Sequence, residues 1–208
     1  AGMVRGGDPP GLLTAAFPEV DRGHEIHRLL AFSDFLGAKA QGEEVVLNLK
    51  PQDIATMRQR LASLPRPWIG LHPSARDRTR RWPEARFAAA GKALIQRFGG
   101  SLIVLGEEGV APLGTGIMRI ANVQGVNLCG QLRLPELAAA LSMLDVFITN
   151  DSGPAHLAYA VGCPSVTIFG SADPERYGPL DRKNHLLAIH EVDCRPCGLA
   201  ECPIGYKC

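Results

Sequence analysis

No run of about 18 apolar residues occurs in the chain, so no segment reads as a membrane-spanning helix. An excess of either charge is missing too. Lys and Arg total 22 against 21 Asp and Glu, which gives no reason to expect nucleic acid or an anionic surface as partner. The opening residues Ala1-Gly2-Met3-Val4-Arg5 lack the apolar stretch of a secretory signal, and the expected setting is the reducing cytoplasm. They lead straight into Gly6, Gly7, Pro9, Pro10 and Gly11, a loop with no element before it, and the sequence reads as starting inside a larger protein. Two nucleotide fingerprints are also absent. No strand candidate is followed by G-x-G-x-x-G, which lowers a dinucleotide dehydrogenase, and no G-x-x-x-x-G-K-[ST] occurs, which lowers a kinase or NTPase.

With 46% hydrophobic residues among 208, the chain can bury one good core but is short for two full α/β domains. Apolar spacing predicts a helix over 24–36, closed by Gly37, a strand over 44–49 and a second helix over 51–64. Beyond Pro65 and Pro67 the pattern changes. Short apolar strands at 68–71, 102–105, 146–149, 166–169 and 186–189 alternate with helices from Trp82 to Phe98, Leu134 to Leu144 and Ser152 to Val161. Pro83 and Pro135 suit first helical turns, and Gly99 and Gly162 suit helix ends. The glycine-rich stretch after Gly106 carries no clear period. Such alternation predicts an α/β fold, a parallel sheet with helices on both faces. Ligands of such sheets sit beyond the strands' carboxyl ends. The loops leaving those ends, 72–81, 106 onward, 150–153 and 170–178, are also where polar and glycine residues gather.

The sharpest feature is Asn150-Asp151-Ser152-Gly153-Pro154-Ala155-His156 at a strand-to-helix turn. The unpaired N–H groups and dipole of a helix start form a phosphate cradle, and Gly153 permits close approach. His156, one turn in, is placed to point at the same space. The plainer alternative is that Ser152 or Asp151 merely caps the helix. Asp151 would repel a phosphate, so its expected partners are sugar hydroxyls or backbone N–H groups. The run from Arg76 to Arg81 is either a solvated loop or an anion site; Arg76, Arg80 and Arg81 each offer a bidentate fork for diphosphate oxygens. The loop from Ser171 to Pro179 is either a connector or a pocket wall.

Four of the six cysteines, Cys194, Cys197, Cys202 and Cys208, crowd into the C-terminal end. By count they match a four-thiolate zinc knuckle, but the spacing is looser than in a zinc ribbon, and disulfides or reduced thiols fit equally. No metal is expected. Cys129 and Cys163 lie in apolar stretches and read as buried thiols.

From Trp68 onward the chain resembles the ADP-heptose:lipopolysaccharide heptosyltransferase family, glycosyltransferase family 9. The matching stretches are Gly70-Leu71-His72-Pro73-Ser74-Ala75, Arg80-Arg81-Trp82-Pro83, Asn150 to Ala158 and Ile168 to Pro174, with the cysteine-bearing tail from Cys194. The resemblance runs across roughly two thirds of the chain. It implies a GT-B enzyme of two Rossmann-like domains, of which this chain supplies the donor-binding half. Residues 1–66 are then the end of the acceptor-side domain and a linker, and 67–208 the nucleotide-sugar domain with its tail. The implied reaction transfers a sugar, ADP-heptose being the implied donor, to a lipid-linked lipopolysaccharide core acceptor at the inner face of the inner membrane, with peripheral membrane association and no cofactor. Carried over by position, the donor-binding residues are Ser74, Ala75, Arg80, Glu107 or Glu108, Leu132, Asp151, Ser152, Gly153 and His156. Ala75 stands where a hydroxyl residue can occur and Arg80 where lysine is usual, which leaves nucleotide and sugar open. The general base belongs to an early segment with no counterpart here, so the chain alone is expected to be inactive. The alternatives are a GT-B enzyme or epimerase using UDP-sugars, and a nucleotide-binding module without catalysis.

Overall fold

A computed structural model describes residues 2–4, 16–18 and 23–208. It divides into two compact units, Ala1–Val45 with Glu175–Tyr177, and Val46–Pro174 with Gly178–Cys208.

The smaller unit contains a parallel strand pair, β1 (Gly2–Val4) and β2 (Ala16–Pro18), and helix α1 (Glu25–Phe35). Its apolar centre is aromatic: the Phe17 ring lies 5.6 Å from Phe32 and 5.3 Å from Phe35. His24 caps α1 through its ring nitrogen, which accepts from Ile26 N–H at 3.2 Å.

The larger unit is built on a six-stranded parallel sheet. Its strands are β3 (Trp68–His72), β4 (Ser101–Val104), β5 (Gly125–Asn127), β6 (Val146–Asn150), β7 (Ser165–Phe169) and β8 (His185–Ile189). Helices α2 (Pro51–Leu61), α3 (Glu84–Phe98), α4 (Ala111–Ala121), α5 (Leu134–Leu141) and α6 (Gly153–Ala160) surround it; the single turn α7 (Pro174–Tyr177) falls, apart from Pro174, in the smaller unit. The spatial order β5-β4-β3-β6-β7-β8 is that of the doubly wound dinucleotide-binding fold. The chain starts mid-sheet at β3, winds outward to β5, then returns to β6 and winds the other way. Apolar residues accordingly fill both faces. Phe87, Leu71, Leu102 and Ile117 pack under α3 and α4, and Leu61, Leu141, Phe147 and Ala158 under α2, α5 and α6. All five residues of β3 are buried, as a central parallel strand requires.

Three sequence expectations change. The segment 44–49 forms no strand; Val45 and Val46 are exposed, and Leu47 N–H meets Ala160 O at 3.3 Å. Its apolar residues are contiguous rather than alternating, so no single face could be buried by pairing. The boundary moves from 66/67 to 45/46 because α2 packs on α5: Met57 and Leu61 enter the core beside Leu141, and Arg60 Nη1 donates to Gln131 O at 3.2 Å. The glycine-rich stretch after Gly106 is a helix and a strand. Gly114 sits where α4 crosses β5, and a Cβ there would lie 2.5 Å from Asn127 Oδ1. Glycine here serves close helix–strand packing inside regular structure, which is why it obscured the period.

Candidate functional site

The strand order reverses between β3 and β6, and the crevice opens at their carboxyl ends. His72, the last residue of β3, stands in register with Thr149 of β6. The next residues of each strand lead into the two loops that form the site.

The first loop is clamped by Asn150, which is fully buried at the end of β6. Its Oδ1 accepts from Trp82 N–H at 2.9 Å and its Nδ2 donates to Ser74 O at 3.4 Å, so one amide ties both ends of the basic loop to the sheet. Arg81 closes the loop from within: Nε donates to Ala75 O at 2.7 Å and Nη2 to Arg76 O at 3.1 Å. Residues 78–80 form one 3-10 turn against the end of β7. Gly170 makes that approach possible, since a Cβ there would lie 2.0 Å from Thr79 O. The C-terminal tail packs on the same turn. Thr79 Oγ1 donates to Leu199 O at 2.5 Å, Ser171 Oγ donates to Thr79 Oγ1 at 2.8 Å, and the Arg78 guanidinium lies 4.8 Å from the Tyr206 ring.

The second loop starts α6. Ser152 occupies the cap position, but its side chain makes no capping bond to the helix N–H groups. Its hydroxyl instead lies 3.1 Å from Asn150 O and 3.2 Å from His72 Nδ1. The capping alternative therefore fails for Ser152. Among the described residues no side-chain capping bond is made at this helix start, which leaves it suited to an anionic ligand.

Between the loops lies a cavity of about 540 Å³. Ser74, Ala75, Glu107, Leu132, Ser152 and Gly153 line it, so six of the sequence-predicted residues come together. Four predicted residues do not line it: Arg80, Glu108, Asp151 and His156. Arg80 turns inward: Nη1 donates to Asp151 Oδ2 at 3.0 Å, and Nε lies 3.2 Å from Asp77 Oδ2. Asp151 is buried, and burial raises its carboxyl pKa against the opposing pull of Arg80. The carboxylate thus meets a guanidinium, a partner that the sequence did not point to. Of Glu107 and Glu108, Glu107 lines the cavity; Glu108 starts a 3-10 turn whose backbone abuts Gly130. His156 stands edge-on to Tyr159, one turn along α6, with ring centroids 5.6 Å apart.

Of the three arginines that the sequence offered as forks for diphosphate oxygens, Arg76 is the one that lines the cavity. The remaining lining residues were not among the predicted donor contacts. His72, Gly106, Leu134, Leu137 and Pro154 complete the wall. His72 was visible as the polar end of a central strand at the switch point. Leu134 and Leu137 sit on one face of α5, a spacing that reads as ordinary core. Burial lowers the His72 pKa to about 4, so the ring is neutral near pH 7. A second hollow of about 530 Å³, between α3 and the strands β6–β8, has an apolar floor of Ile148, Val166 and Ile168 and holds none of the predicted residues.

The six cysteines are unpaired thiols. Cys129 and Cys163 are buried, and burial pushes them up to about 11 and about 12. Cys202 Sγ accepts from Tyr206 N–H at 3.2 Å, and neighbouring backbone N–H groups lower its pKa. No group of three or more His, Cys, Asp or Glu side chains converges among the described residues. No helix among them is long and apolar enough to cross a membrane.

Sheet order and cavity together define a Rossmann-like domain with a cavity at the strand switch point. The chain belongs to glycosyltransferase family 9 (heptosyltransferase), whose family model matches residues 18–207. It is 29% identical over 146 residues to lipooligosaccharide heptosyltransferase 2 of Campylobacter jejuni, covering 67% of this chain and 45% of that protein. It therefore spans less than half the length of that relative. Its fold is similar to that of E. coli ADP-heptose lps heptosyltransferase II, with a TM-score of 0.74 at 22% identity, covering 89% of this chain and 60% of that one. It is also similar to E. coli heptosyltransferase WaaC with ADP, with a TM-score of 0.60 at 19% identity, covering 86% and 54%. Both structures place the larger unit in the GT-B, Rossmann-like class.

Proposed function

We propose that the cavity binds the nucleoside diphosphate of a sugar donor, and that the protein transfers a heptose from ADP-heptose to a lipopolysaccharide-type acceptor. The observation that carries this reading is the cavity itself: Arg76 and the α6 start, whose cap residue makes no side-chain capping bond, line one space at the switch point. Leu132, Leu134 and Leu137 provide an apolar wall suited to a flat base, and Glu107 supplies a carboxylate suited to hydroxyl or amino groups. Family membership supports the sugar and acceptor classes, and ADP is the molecule named with one similar fold.

Departure of the diphosphate places negative charge on the oxygen that leaves the sugar. Donors already aimed at that charge stabilise the transition state without reorganising. Arg76 supplies a full positive charge, and the α6 start supplies oriented backbone dipoles. Arg80, already neutralised by Asp77 and Asp151, holds the loop that presents Arg76.

Arg76→Ala is expected to weaken ADP binding by about 10- to 150-fold, the loss of roughly 1.5–3 kcal/mol for a charge-assisted contact. The deficit should shrink as salt rises, because Arg76 is exposed. Calorimetric titration of ADP at low and high salt checks this. Equal affinity of parent and variant at low salt would remove Arg76 from the site, and tighter binding of UDP than ADP would favour a UDP-sugar donor.

A further inference from the structure

His72 and Ser152 both line the cavity, and their hydrogen bonds carry a constraint. Ser152 Oγ lies 3.2 Å from His72 Nδ1 and 3.1 Å from Asn150 O. Thr149 Oγ1 lies 3.4 Å from the same ring nitrogen and 2.9 Å from the same carbonyl. The two hydroxyls also lie 3.4 Å apart, so two hydroxyl hydrogens face one carbonyl, one ring nitrogen and each other's oxygen. When Nδ1 carries no hydrogen, Nδ1 and Asn150 O are both satisfied only if each hydroxyl turns its hydrogen inward, and Ser152 then has none to offer the cavity. With a hydrogen on Nδ1 the count changes. The ring donates to Ser152 Oγ, Thr149 serves Asn150 O through its shorter contact, and neither buried acceptor any longer requires the Ser152 hydrogen.

We propose that His72 is a positioning residue whose Nδ1–H holds Ser152 Oγ from behind, so that the Ser152 hydroxyl donates to a diphosphate oxygen. This rests on the reading of the cavity as the diphosphate site. The ring is almost fully buried, in register beside Thr149, and its place at the end of β3 fixes it against the α6 start. Burial keeps it neutral, so its contribution is the direction of one hydrogen bond rather than a charge.

Nitrogen NMR of the unmodified protein, with 15N-labelled histidine at neutral pH, reads the hydrogen directly. In the ADP-bound state His72 Nδ1 is expected at a protonated shift; a bare Nδ1 with ADP bound overturns the inference. ADP affinity of variants tests the same point independently. His72→Asn keeps an N–H donor near the Nδ1 position and should bind ADP nearly as the parent does. His72→Leu and Ser152→Ala should each lose about tenfold to a hundredfold, and the double variant no more than either. Additive losses, or an equal loss in His72→Asn and His72→Leu, overturn it. Adenosine, which lacks phosphate, should bind all variants alike; an equal loss for adenosine would assign His72 to general cavity structure. Should His72→Leu not fold, the NMR measurement decides. If the parent binds no ADP, the cavity reading itself falls, a result distinct from ADP binding with Nδ1 bare.

Discussion

Arg80→Ala is expected to destabilise the larger unit by about 3 kcal/mol, the low end of the cost of leaving one member of a buried ion pair behind. The low end applies because the Arg80 side chain retains 29% of its exposure while that of Asp151 retains 3%. Without the guanidinium, the Asp151 carboxylate stays in the β6–α6 loop with burial already opposing its charge. For a domain of this size the loss corresponds to a melting temperature lower by roughly 6–12 °C. Adding Asp151→Asn should recover most of it, because the neutral amide removes the stranded charge. Thermal unfolding of parent, single and double variants measures this. A single variant that melts with the parent would make the pair a surface contact and return Arg80 to the candidates for ligand binding. The contrast with Arg76 is diagnostic: Arg76→Ala should lose affinity and keep its melting temperature.

Acidification is expected to cost the fold up to about 3 kcal/mol through His72 alone. Its pKa is about 4 in the folded chain against an ordinary 6.5, and each unit of difference is worth about 1.36 kcal/mol. The sign follows from proton counts. Between pH 6.5 and about 4 the unfolded chain binds a proton that the folded chain refuses, so stability falls as pH falls through that window and levels off below it. His185, also lowered by burial, acts in the same direction, and Glu25, Glu136 and Asp181, whose pKa values are lowered by hydrogen bonds, add losses in more acid solution. The His72 contribution is therefore read as a difference. Urea unfolding at several values between pH 7 and pH 4.5 should show a shallower decline for His72→Asn than for the parent. Parallel curves would mean that the ring protonates in the folded state at its ordinary pKa.

Much of the fold was legible along the chain because it rests on local periodicity. Trp68–His72, Val146–Asn150 and Ser165–Phe169 are short apolar runs, and each is a strand. Pro83 and Gly99 bracket α3 as their backbone preferences require. The expectations that failed were those in which local composition conflicted with packing. Val45-Val46-Leu47 has the residues of a strand without a partner edge, and Gly114 has the look of a loop inside a helix pressed on Asn127.

The site divides in the same way. Chain order alone pointed to the loops 72–81, 106 onward, 150–153 and 170–178, because parallel strands bring their carboxyl ends to one edge; Ser74, Ala75, Glu107, Leu132, Ser152 and Gly153 line one cavity there, whereas no residue of 170–178 lines it. It also determined that a basic run would stand at that edge. Which arginine faces the cavity was decided by tertiary structure. Arg76, Arg80 and Arg81 are alike as residues, but Asp151 and Asp77 draw Arg80 inward, the Ala75 and Arg76 carbonyls engage Arg81, and Arg76 is left on the cavity wall. A guanidinium goes to the nearest unsatisfied carboxylate or carbonyl; Asp77 and the Ala75 and Arg76 carbonyls lie in the loop itself, but Asp151, just after β6, is 71 residues from Arg80 in the chain. Periodicity carries no information about such distant pairings, which exist only once the sheet has assembled.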